Sequence, residues 1–331
     1  MKEVIIMAIE SSCDETSCSI IRNGVDILSN IVASQIKSHQ RFGGVVPEVA
    51  ARHHVESITY ILRQALDEAK LNFEDIDAFS ATTGPGLVGS LLVGVNACKT
   101  LALIYNKPFI STHHIAGHIY ANKFLTDFKF PLLTLVVSGG HTELVLMKDE
   151  LSFEVIGETL DDAVGEAYDK VARVLDLPYP GGPQIDRLAK QGQPNYKLPT
   201  IMDDKTLNFS FSGIKSAVIN LVHNETQRNR EINKFDLACS FQNQAVEVLI
   251  RKTKQAVELY DIKQVLVAGG VAANSKLRED IQKSFDDVEV VLPPLSLCTD
   301  NAAMIGACAY QQFLHKQYSD MSVKVRPSID L

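Results

Sequence analysis

The sequence has few cysteines, no long apolar run and no excess of positive charge. Its six cysteines, spread over 331 residues without a C-x-x-C pair, argue against a disulfide scaffold and a zinc ribbon. No apolar stretch approaches the roughly 20 residues needed to span a bilayer. The first apolar run, Val4–Ile9, is too short for a signal-peptide core. The sequence therefore predicts a cytoplasmic protein that makes no contact with a membrane.

Acidic residues outnumber basic ones, 40 against 32, which gives a formal net charge of −8. A field of this sign repels polyanions, so contact with nucleic acid would need a local basic patch or a helper protein. Hydrophobic residues make up 46% of the chain and charged residues 22%, which is typical of a globular protein.

A pattern that occurs twice along the chain predicts a duplication. Each copy begins with a buried strand, a polar turn and a second strand, and later reaches a strand, a glycine turn and a helix. The first copy comprises Val4–Ile9, Ser17–Arg22, Ala78–Thr82 and a helix over 87–105. The second comprises Leu132–Val137, Thr142–Met147, Gln264–Val267 and a helix from about residue 273. The pattern predicts a two-lobed α/β protein with a cleft between its lobes.

Helical insertions between these segments are marked by apolar stripes at a spacing of 3.6 residues. The first stripe is Val55, Ile58, Ile61, Leu62, Ala65 and Leu66, and a later one is Leu237, Phe241, Ala245, Val248 and Leu249. Both are interpreted as plain core.

His114 and His118 are the first residues with a chemical signature. Their separation of four residues after a predicted strand puts both imidazoles on one face of a helix, close enough to share a metal ion. The alternative to a metal site is that these are two ordinary histidines that bind no metal ion. A zinc protease would carry glutamate beside the first histidine, and Ile115 stands there instead, which disfavours a peptidase.

Asp300 stands between a predicted strand, Val288–Leu292, and an apolar helix, Ala302–Phe313. In that place it could simply cap the helix. As a third ligand it would complete a set of two histidines and one carboxylate, which suits Fe(II) and also accommodates zinc. On the spacing alone, the role of helix cap is favoured over that of metal ligand.

The segment Gly84–Gly89 matches G-x-G-x-x-G, after a strand and before a helix. A dinucleotide site also requires an acidic residue at the end of the next strand. That strand ends in Ser111-Thr112-His113-His114, with no carboxylate. A tight turn that allows close packing is therefore favoured over nicotinamide binding.

Three further glycine turns lie beside strand ends: Ser138–His141, Tyr179–Pro183 and Gly269–Asn274. Each alone is usually an ordinary turn, but together they would present backbone N–H groups to a phosphate. Asp169 and Asp186 flank the second turn and could accept hydrogen bonds from ribose hydroxyls. The set predicts adenine-nucleotide binding.

Ten motifs, in order along almost the whole chain, resemble a single family. They are Ile9–Thr16, Gly43–Glu48, Gly84–Gly89, His113–His118, Val137–Thr142, Glu166–Lys170, Tyr179–Pro183, Phe209–Gly213, Gly269–Asn274 and Thr299–Asn301. The family that they resemble is the tRNA N6-adenosine threonylcarbamoyltransferases of bacterial TsaD type, once misnamed O-sialoglycoprotein endopeptidases. The resemblance implies an actin/sugar-kinase/Hsp70-like (ASKHA) fold. It also implies transfer of the threonylcarbamoyl group of an adenylate to the N6 amine of the adenosine 3′ of the anticodon.

The resemblance also implies the roles of particular residues. The metal ligands of the family fall on His114, His118 and Asp300, and the metal would be one divalent ion, with Fe(II) favoured over zinc. Asp14 and Glu15 match acidic residues tied to activity. The adenylate-binding positions fall on Val136, Val137, Ser138, Gly139, Gly140, Asp169, Gly182, Asp186 and Asn274.

The expected domains are an N-terminal lobe with a helical insertion over 1–110 and a C-terminal lobe over 111–300. The C-terminal lobe would carry most of the metal and adenylate site, and a terminal helix and tail over 301–331 could cross back to the N-terminal lobe. The resemblance further implies tRNA and threonylcarbamoyl-adenylate as substrates. It implies two protein partners, a paralogue of TsaB type and a small P-loop ATPase of TsaE type.

Two other classes compete with this interpretation. A phosphotransferase or ATPase of the same fold would hold Mg-ATP through carboxylates and would need no histidine ligands. A non-catalytic scaffold paralogue would be expected to lack the two histidines and the aspartate, which this chain retains.

Overall fold

A computed structural model describes residues 3–202 and 204–331, and the chain divides into two compact α/β units. The first unit extends to Asp127 and also contains Thr299–Leu331. The second unit is Phe128–Cys298. In the described residues, no helix combines the length and the apolar character needed to cross a membrane.

The strands are, in chain order, β1 (Ile5–Glu10), β2 (Glu15–Arg22), β3 (Asp26–Ser34), β4 (Ala78–Gly84), β5 (Phe109–His113), β6 (Leu132–Val137), β7 (Thr142–Met147), β8 (Glu154–Glu158), β9 (Gln264–Ala268) and β10 (Glu289–Val291). The helices are α1 (Ile36–Gln40), α2 (Pro47–Ala69), α3 (Val88–Ile104), α4 (His114–Tyr120), α5 (Val164–Val174), α6 (Gly181–Ala189), α7 (Ser212–Gln227), α8 (Lys234–Leu259), α9 (Ser275–Gln282), α10 (Leu295–Cys298) and α11 (Ala302–Leu314). Short 3₁₀ helices are Phe73–Asp75, Ala121–Phe124 and Gly270–Ala273.

The two sheets repeat one topology. The first has the order β3-β2-β1-β4-β5, and the second has β8-β7-β6-β9-β10. In each, an antiparallel three-stranded meander is followed by two strands parallel to its first strand. The predicted duplication is therefore confirmed.

The parallel strands determine where side chains can converge. Carboxyl ends of parallel strands meet at one edge of a sheet. In the first unit these ends are Glu10, Gly84 and His113, and in the second they are Val137, Ala268 and Val291. Residues that follow β1, β4 and β5, or β6, β9 and β10, are consequently brought together.

The first sheet is buried on both faces, which explains its continuous apolar strands. Along β1, Met7 and Ile9 pack in one cluster with α2 and α3, whereas Ile6 and Ala8 pack in clusters that include residues of α11. The predicted stripe on α2 is buried except for Val55, which is 63% exposed. The prediction was wrong there because the buried row at intervals of four residues passes through His54.

The core of the second unit lies where α5, α7 and α8 pack against its sheet. Leu133, Leu135 and Val137 of β6 face this cluster. The whole predicted stripe of α8, from Leu237 to Leu249, is buried in it. This core supports the β6–β7 turn and the end of β9.

The division between the units differs from the boundary expected at residue 110. β5 pairs in parallel with β4, so the segment after residue 110 stays with the first sheet, and α4 packs against α11. The tail is joined to the same sheet, where Arg326 N–H donates to the Thr83 carbonyl (2.8 Å). The predicted metal ligands therefore belong to the first unit, whereas the predicted adenylate residues belong to the second.

Candidate metal centre and ligand-binding turns

Helix α4 starts directly at the end of β5 and presents two histidines on one face. The rings of His114 and His118 have their centroids 4.7 Å apart at 84°. Both side chains are buried, at 8% and 1% exposed. A side chain at Gly117 would clash with Ile305 of α11, since its Cβ would lie 2.6 Å from the Ile305 Cδ1. Glycine therefore lets α11 approach α4 closely.

Asp300 completes the group from the start of α11. Its Oδ1 lies 3.1 Å from Nε2 of His118 and 3.6 Å from Nε2 of His114. The cap of α11 is Asn301, whose Oδ1 accepts from Met304 N–H (3.2 Å). The alternative role of Asp300 as the helix cap is therefore taken by its neighbour.

The three side chains form a donor set that could hold a metal ion. One ligand atom from each of His114, His118 and Asp300 lies within 4.8 Å of the others. Nδ1 of His118 is buried without a hydrogen-bond partner, and Nε2 faces the carboxylate. Two imidazoles and one carboxylate are ligands that both Fe(II) and zinc accept. The residues thus fit a divalent metal.

A buried carboxylate, Glu10, orients the first histidine. Its Oε2 lies 3.0 Å from Nδ1 of His114 and also accepts from the Thr82 hydroxyl (2.6 Å). Its Oε1 accepts from Ser12 N–H (2.5 Å). Burial alone would raise the pKa of Glu10, but the His114 imidazole lowers it, so Glu10 is ionised. A carboxylate on Nδ1 fixes the proton there and leaves Nε2 for a metal.

Burial and charge act in opposite directions on His114. Burial alone would lower its pKa, but Glu10 and Asp300 raise the pKa to about 9. In the absence of a cation the two carboxylates therefore favour a protonated imidazole. A divalent cation between His114 and Asp300 would replace that positive charge.

Asp14 is the last residue of the turn between β1 and β2, and Glu15 is the first residue of β2. Burial first, then Asp300 and Asp14, raise the pKa of Glu15 to about 10. The Ser34 hydroxyl donates to Glu15 Oε1 (3.2 Å). The structure thus brings Glu15, which directly follows Asp14, within electrostatic reach of Asp300.

The same turn is held from α2 by the buried His54. Its Nε2 donates to the Cys13 carbonyl (2.9 Å), and its Nδ1 accepts from the Thr16 hydroxyl (2.7 Å). Burial lowers the pKa of His54, so the ring is neutral and can play both roles. This histidine fixes the backbone on both sides of Asp14 and Glu15.

The G-x-G-x-x-G segment is a close-packing turn, as favoured from its sequence. A Cβ at Gly84 would lie 2.2 Å from the Arg326 carbonyl oxygen, and one at Gly86 would lie 2.6 Å from the Ser12 carbonyl oxygen. Gly86 N–H donates to the Pro327 carbonyl (3.1 Å), and Leu87 N–H donates to that of Ser12 (2.8 Å). The glycines thus let the turn fit between the tail and the residues that follow β1.

In the second unit, the turn after β6 meets the end of β9. Ser138 N–H donates to the His141 carbonyl (2.8 Å), which closes the turn. Gly269, with φ of +93°, approaches Val137 so closely that a Cβ would lie 2.5 Å from its carbonyl oxygen. In contrast, a Cβ at Gly139, Gly140, Gly182 or Gly270 would meet nothing within 4 Å. These four glycines leave open space beside their backbone.

Two of the three predicted polar side chains of this unit, Asp186 and Asn274, share one hydrogen-bond network, and the third, Asp169, holds the start of α6. Asp169 Oδ1 accepts from Gly181 N–H (2.6 Å) at the start of α6. Asp186 Oδ1 accepts from the Ser275 hydroxyl (2.7 Å) and from Gln242 Nε2 (3.2 Å). Asn274 Nδ2 in turn donates to Gln242 Oε1 (2.8 Å), while its Oδ1 caps α9. Burial raises the pKa of Asp169.

Sequence comparisons agree with these motifs. The family model described as TsaD, tRNA N6-adenosine threonylcarbamoyltransferase, matches residues 26–307. A curated protein of that name from Listeria welshimeri is 57% identical over 333 residues, which cover 99% of this chain and 97% of the relative. One from Bacillus cereus is 56% identical, over 100% of this chain and 97% of the relative.

The chain belongs to the tRNA N6-adenosine threonylcarbamoyltransferase family. It is accordingly a transferase, and the family predicted from the ten motifs is confirmed.

Solved structures with similar folds are distant in sequence. HypF from T. kodakarensis has a TM-score of 0.61 at 12% identity, over 95% of this chain and 48% of that one. Component A of (R)-2-hydroxyglutaryl-CoA dehydratase from Acidaminococcus fermentans has a TM-score of 0.55 at 14% identity, over 94% and 99%. A ROK family glucokinase from Streptomyces griseus has a TM-score of 0.50 at 10% identity, over 92% and 98%. They confirm the ASKHA fold class of this family member.

Several residues of this transferase that support the two sites were missed from the sequence. They are Glu10 and His54 in the first unit and Gln242 and Ser275 in the second. The position of Glu10 at the end of an otherwise apolar strand could have indicated its role. A charged side chain in such a place is rarely buried unless it has a partner. Gln242 carried no such signal, because it lies in an amphipathic helix among ordinary polar residues.

Proposed function

We propose that this chain transfers the threonylcarbamoyl group of threonylcarbamoyl-adenylate to the N6 amine of the adenosine 3′ of the anticodon, with release of AMP. The substrate tRNAs would be those that read codons beginning with A. Within the structure, the observation that carries the proposal is the convergence of His114, His118 and Asp300 on one point. A phosphotransferase of this fold would need only oxygen ligands for Mg²⁺.

The proposed metal is one divalent ion, Fe(II) in preference to zinc, held by Nε2 of His114, Nε2 of His118 and the Asp300 carboxylate. Such an ion supplies Lewis acidity, which makes an acyl carbon more electrophilic and offsets negative charge on its oxygen. That chemistry suits this reaction because an exocyclic adenine amine is a poor nucleophile. Glu10 contributes by holding the Nδ1 proton of His114, so that the ring keeps the orientation that the ligand set requires.

The adenylate would be bound by the second unit. The open sides of the Ser138–Gly140 turn, Gly182 and Gly270 suit the approach of a phosphate and a ribose. Asp186 and Asn274 supply oxygen and amide groups whose rotamers are already fixed by Gln242, and Asp169 supplies a carboxylate that is fixed by the Gly181 N–H. Because AMP is a good leaving group, the main task of these residues is to hold donor and acceptor in line.

Asp14, at the end of the turn after β1, and Glu15, at the start of β2, are proposed to act in the reaction. Their support is position, since Asp300 contributes to the raised pKa of Glu15. His54 and Ser34 restrain this turn, and restrained groups are those that can position a reacting substrate.

We further propose that the chain works in the cytoplasm with a paralogous TsaB-type partner and a small TsaE-type ATPase. The net charge of −8 opposes tRNA, whose phosphates demand several cationic contacts. The long helix α2 exposes two apolar side chains, Val55 at 63% and Tyr60 at 76%, and is proposed as the helix that a partner contacts.

The decisive experiment is mass spectrometry of nucleosides from tRNA incubated with this protein, threonine, bicarbonate, ATP and the partner proteins. Threonylcarbamoyladenosine should appear only when this chain is present. ADP formation without the modified nucleoside would instead establish the phosphotransferase alternative. Preformed adenylate, supplied with and without partners, tests their role. Full multiple turnover by this chain alone would contradict the need for partners.

A further inference from the structure

One motif of the family, Gly43–Glu48, has no part in either site described above. It follows α1 and forms a loop with a solvent-facing aromatic side chain, Phe42, which is 50% exposed. Phe42 N–H donates to the His39 carbonyl (2.9 Å), and Gly43 N–H donates to that of Gln40 (3.0 Å). Gly43 then takes a φ of +69°, which favours glycine. The loop is therefore a defined turn that keeps Phe42 in solvent.

Buried hydrogen bonds join this loop to the turn that carries Asp14. Gln35 N–H donates to the Asp14 carbonyl (3.0 Å), and the Gln35 side chain accepts from Nε2 of the fully buried His39 (3.2 Å). On its other side, His39 Nδ1 accepts from Val46 N–H (3.3 Å). Helix α1 spans only five residues, or about 7.5 Å at 1.5 Å per residue. Phe42 is thus anchored close to the acidic turn.

The residues around Phe42 are cationic, in contrast to the acidic chain as a whole. Lys37, Arg41 and Arg52 are exposed, and Glu48 is the single acidic residue among positions 35–54. Among the described residues, no carboxylate lies within 4.0 Å of the charged nitrogens of these three cations.

The second unit differs in this respect, because most of its cations are held in ion pairs. In the second unit, Lys148, Lys170, Lys190, Lys215, Lys252, Lys276, Lys283, Arg228 and Arg251 all pair with carboxylates. The three cations near Phe42 therefore keep their charge available for another molecule.

Arg41 and Phe42 also form a unit of their own. The Arg41 guanidinium carbon lies 4.6 Å from the centroid of the Phe42 ring. An exposed ring beside a guanidinium is the combination on which an unstacked base can stack while a phosphate is contacted. A protein partner would instead require a broader apolar surface, whereas the residues that flank Phe42 in the sequence are Arg41 and Gly43.

We propose that the segment Lys37–Gly44 is the contact element of this chain for single-stranded RNA. Phe42 stacks on a base of the anticodon loop, and Lys37 and Arg41 contact the phosphates beside it. The inference rests on the proposed function and deepens it, because it names the residues that hold the RNA beside the reacting adenosine. Arg52 lies in the next helix and adds to the local positive charge.

The test measures binding of a fluorescent anticodon stem-loop RNA to the full chain in the presence of its partners, by anisotropy at several salt concentrations. Phe42→Ala should weaken binding about tenfold to a hundredfold, the range for loss of one stacked base. Phe42→Trp should keep the RNA affinity of the wild type. Phe42→Leu, which keeps apolar area but has no π face, should lose affinity as Phe42→Ala does. Arg41→Ala should lower the slope of log K against log salt by about one.

The matched control is Arg22→Ala. Arg22 is a cation of the same unit at the opposite end of β2, about 23 Å from the acidic turn at 3.3 Å per residue. Arg22→Ala should leave both the RNA affinity and the slope of log K against log salt unchanged. Circular dichroism melting of each variant confirms folding, which the exposed side chain of Phe42 should scarcely affect.

The outcomes separate this inference from the proposed function. Unchanged RNA affinity in Phe42→Ala would overturn the inference, even where the wild type modifies tRNA. Loss of partner co-elution with intact RNA affinity would overturn it too and assign the loop to a protein interface. Absence of the modified nucleoside in wild-type reactions would contradict the proposed function, whereas the binding measurement would still decide whether this loop holds RNA.

Discussion

The two units share one strand order but use its functional edge differently. In the first unit, the residues after β5 and before α11 bring two imidazoles and a carboxylate together, with Glu10 at the end of β1 behind His114. In the second, the residues after β6 and β9 are glycine turns beside Asn274. The scaffold was duplicated, while the chemistry was placed in the turns at equivalent ends of strands. One unit is suited to a metal and the other to a phosphate and a ribose.

The largest effect is expected from removing the metal ligands of the first unit and measuring whether the second unit still binds AMP. His114→Ala/His118→Ala should reduce bound metal from stoichiometric to background, as measured by elemental analysis. Transfer activity should fall roughly a thousandfold or more, because Lewis-acid catalysis contributes several kcal/mol and about 1.4 kcal/mol corresponds to tenfold. AMP affinity should be unchanged.

A control variant and a second ligand variant accompany this first prediction. His223→Ala removes an exposed histidine of α7 and should change neither metal content nor activity. Asp300→Asn removes the negative ligand without leaving the buried Glu10 unpaired, and it should also lose metal. Equal metal content in the wild type and in both ligand variants would contradict the metal assignment.

Glu10→Gln sharpens the comparison within the first unit. The amide keeps the size of the side chain but lacks the negative charge that holds the Nδ1 proton of His114. Metal affinity, measured by competition with a chelator, should fall about tenfold to a hundredfold, the usual effect of losing such a partner of a metal-ligating histidine. Glu68→Gln, an exposed change on α2, is the control. Metal affinity equal to that of the wild type would show that Glu10 has only a packing role.

The histidines and the duplication could be predicted because each depends on local spacing. Separation by four residues places His114 and His118 together wherever a helix forms, and both hairpins end in turn residues. Glu10, His54 and the boundary after Asp127 depend instead on pairing between distant segments. β5 joins β4 across the whole of α3, and such a long-range choice leaves no mark in the sequence of residues 111–127. The prediction that Val55 is buried was wrong because the buried row of α2 passes through His54 instead.

Asn274→Asp tests the proposed nucleotide site of the second unit, and it preserves the cap of α9. Aspartate still caps α9, but it lacks the Nδ2 donor that meets Gln242. AMP affinity in calorimetry should fall about tenfold, in line with the loss of one or two hydrogen bonds. Metal content should stay constant. Asp169→Ala should behave likewise, and Asn224→Ala on the exposed face of α7 is the control.

Unaltered AMP affinity in both Asn274→Asp and Asp169→Ala would refute the assignment of the nucleotide to the second unit. A loss of metal in either variant would instead refute the independence of the two sites. The two readouts therefore test different halves of the comparison.

The smallest expected effect concerns how the Phe209–Gly213 motif is held in the second unit. Asp161 accepts hydrogen bonds from the Ser210 hydroxyl (2.5 Å), from Phe211 N–H (2.8 Å) and from the Ser212 hydroxyl (2.6 Å), and thereby caps α7. Asp161→Ala should lower the free energy of unfolding by about 1 kcal/mol, the usual cost of a lost cap. Thermal and urea melts at neutral pH would measure this loss.

The same contact has a definite pH dependence. Burial alone would raise the pKa of Asp161, but the bonds from Ser210, Ser212 and Phe211 lower it below its ordinary value of 3.8. A carboxyl group whose folded pKa is depressed stabilises the protein above its unfolded pKa, and this contribution is lost as the pH falls through the folded pKa. The stability difference between wild type and Asp161→Ala should therefore be constant from pH 7 to about 5 and should shrink below about pH 4. A difference that persisted undiminished at pH 3 would show that the charge of Asp161 contributes nothing to capping α7.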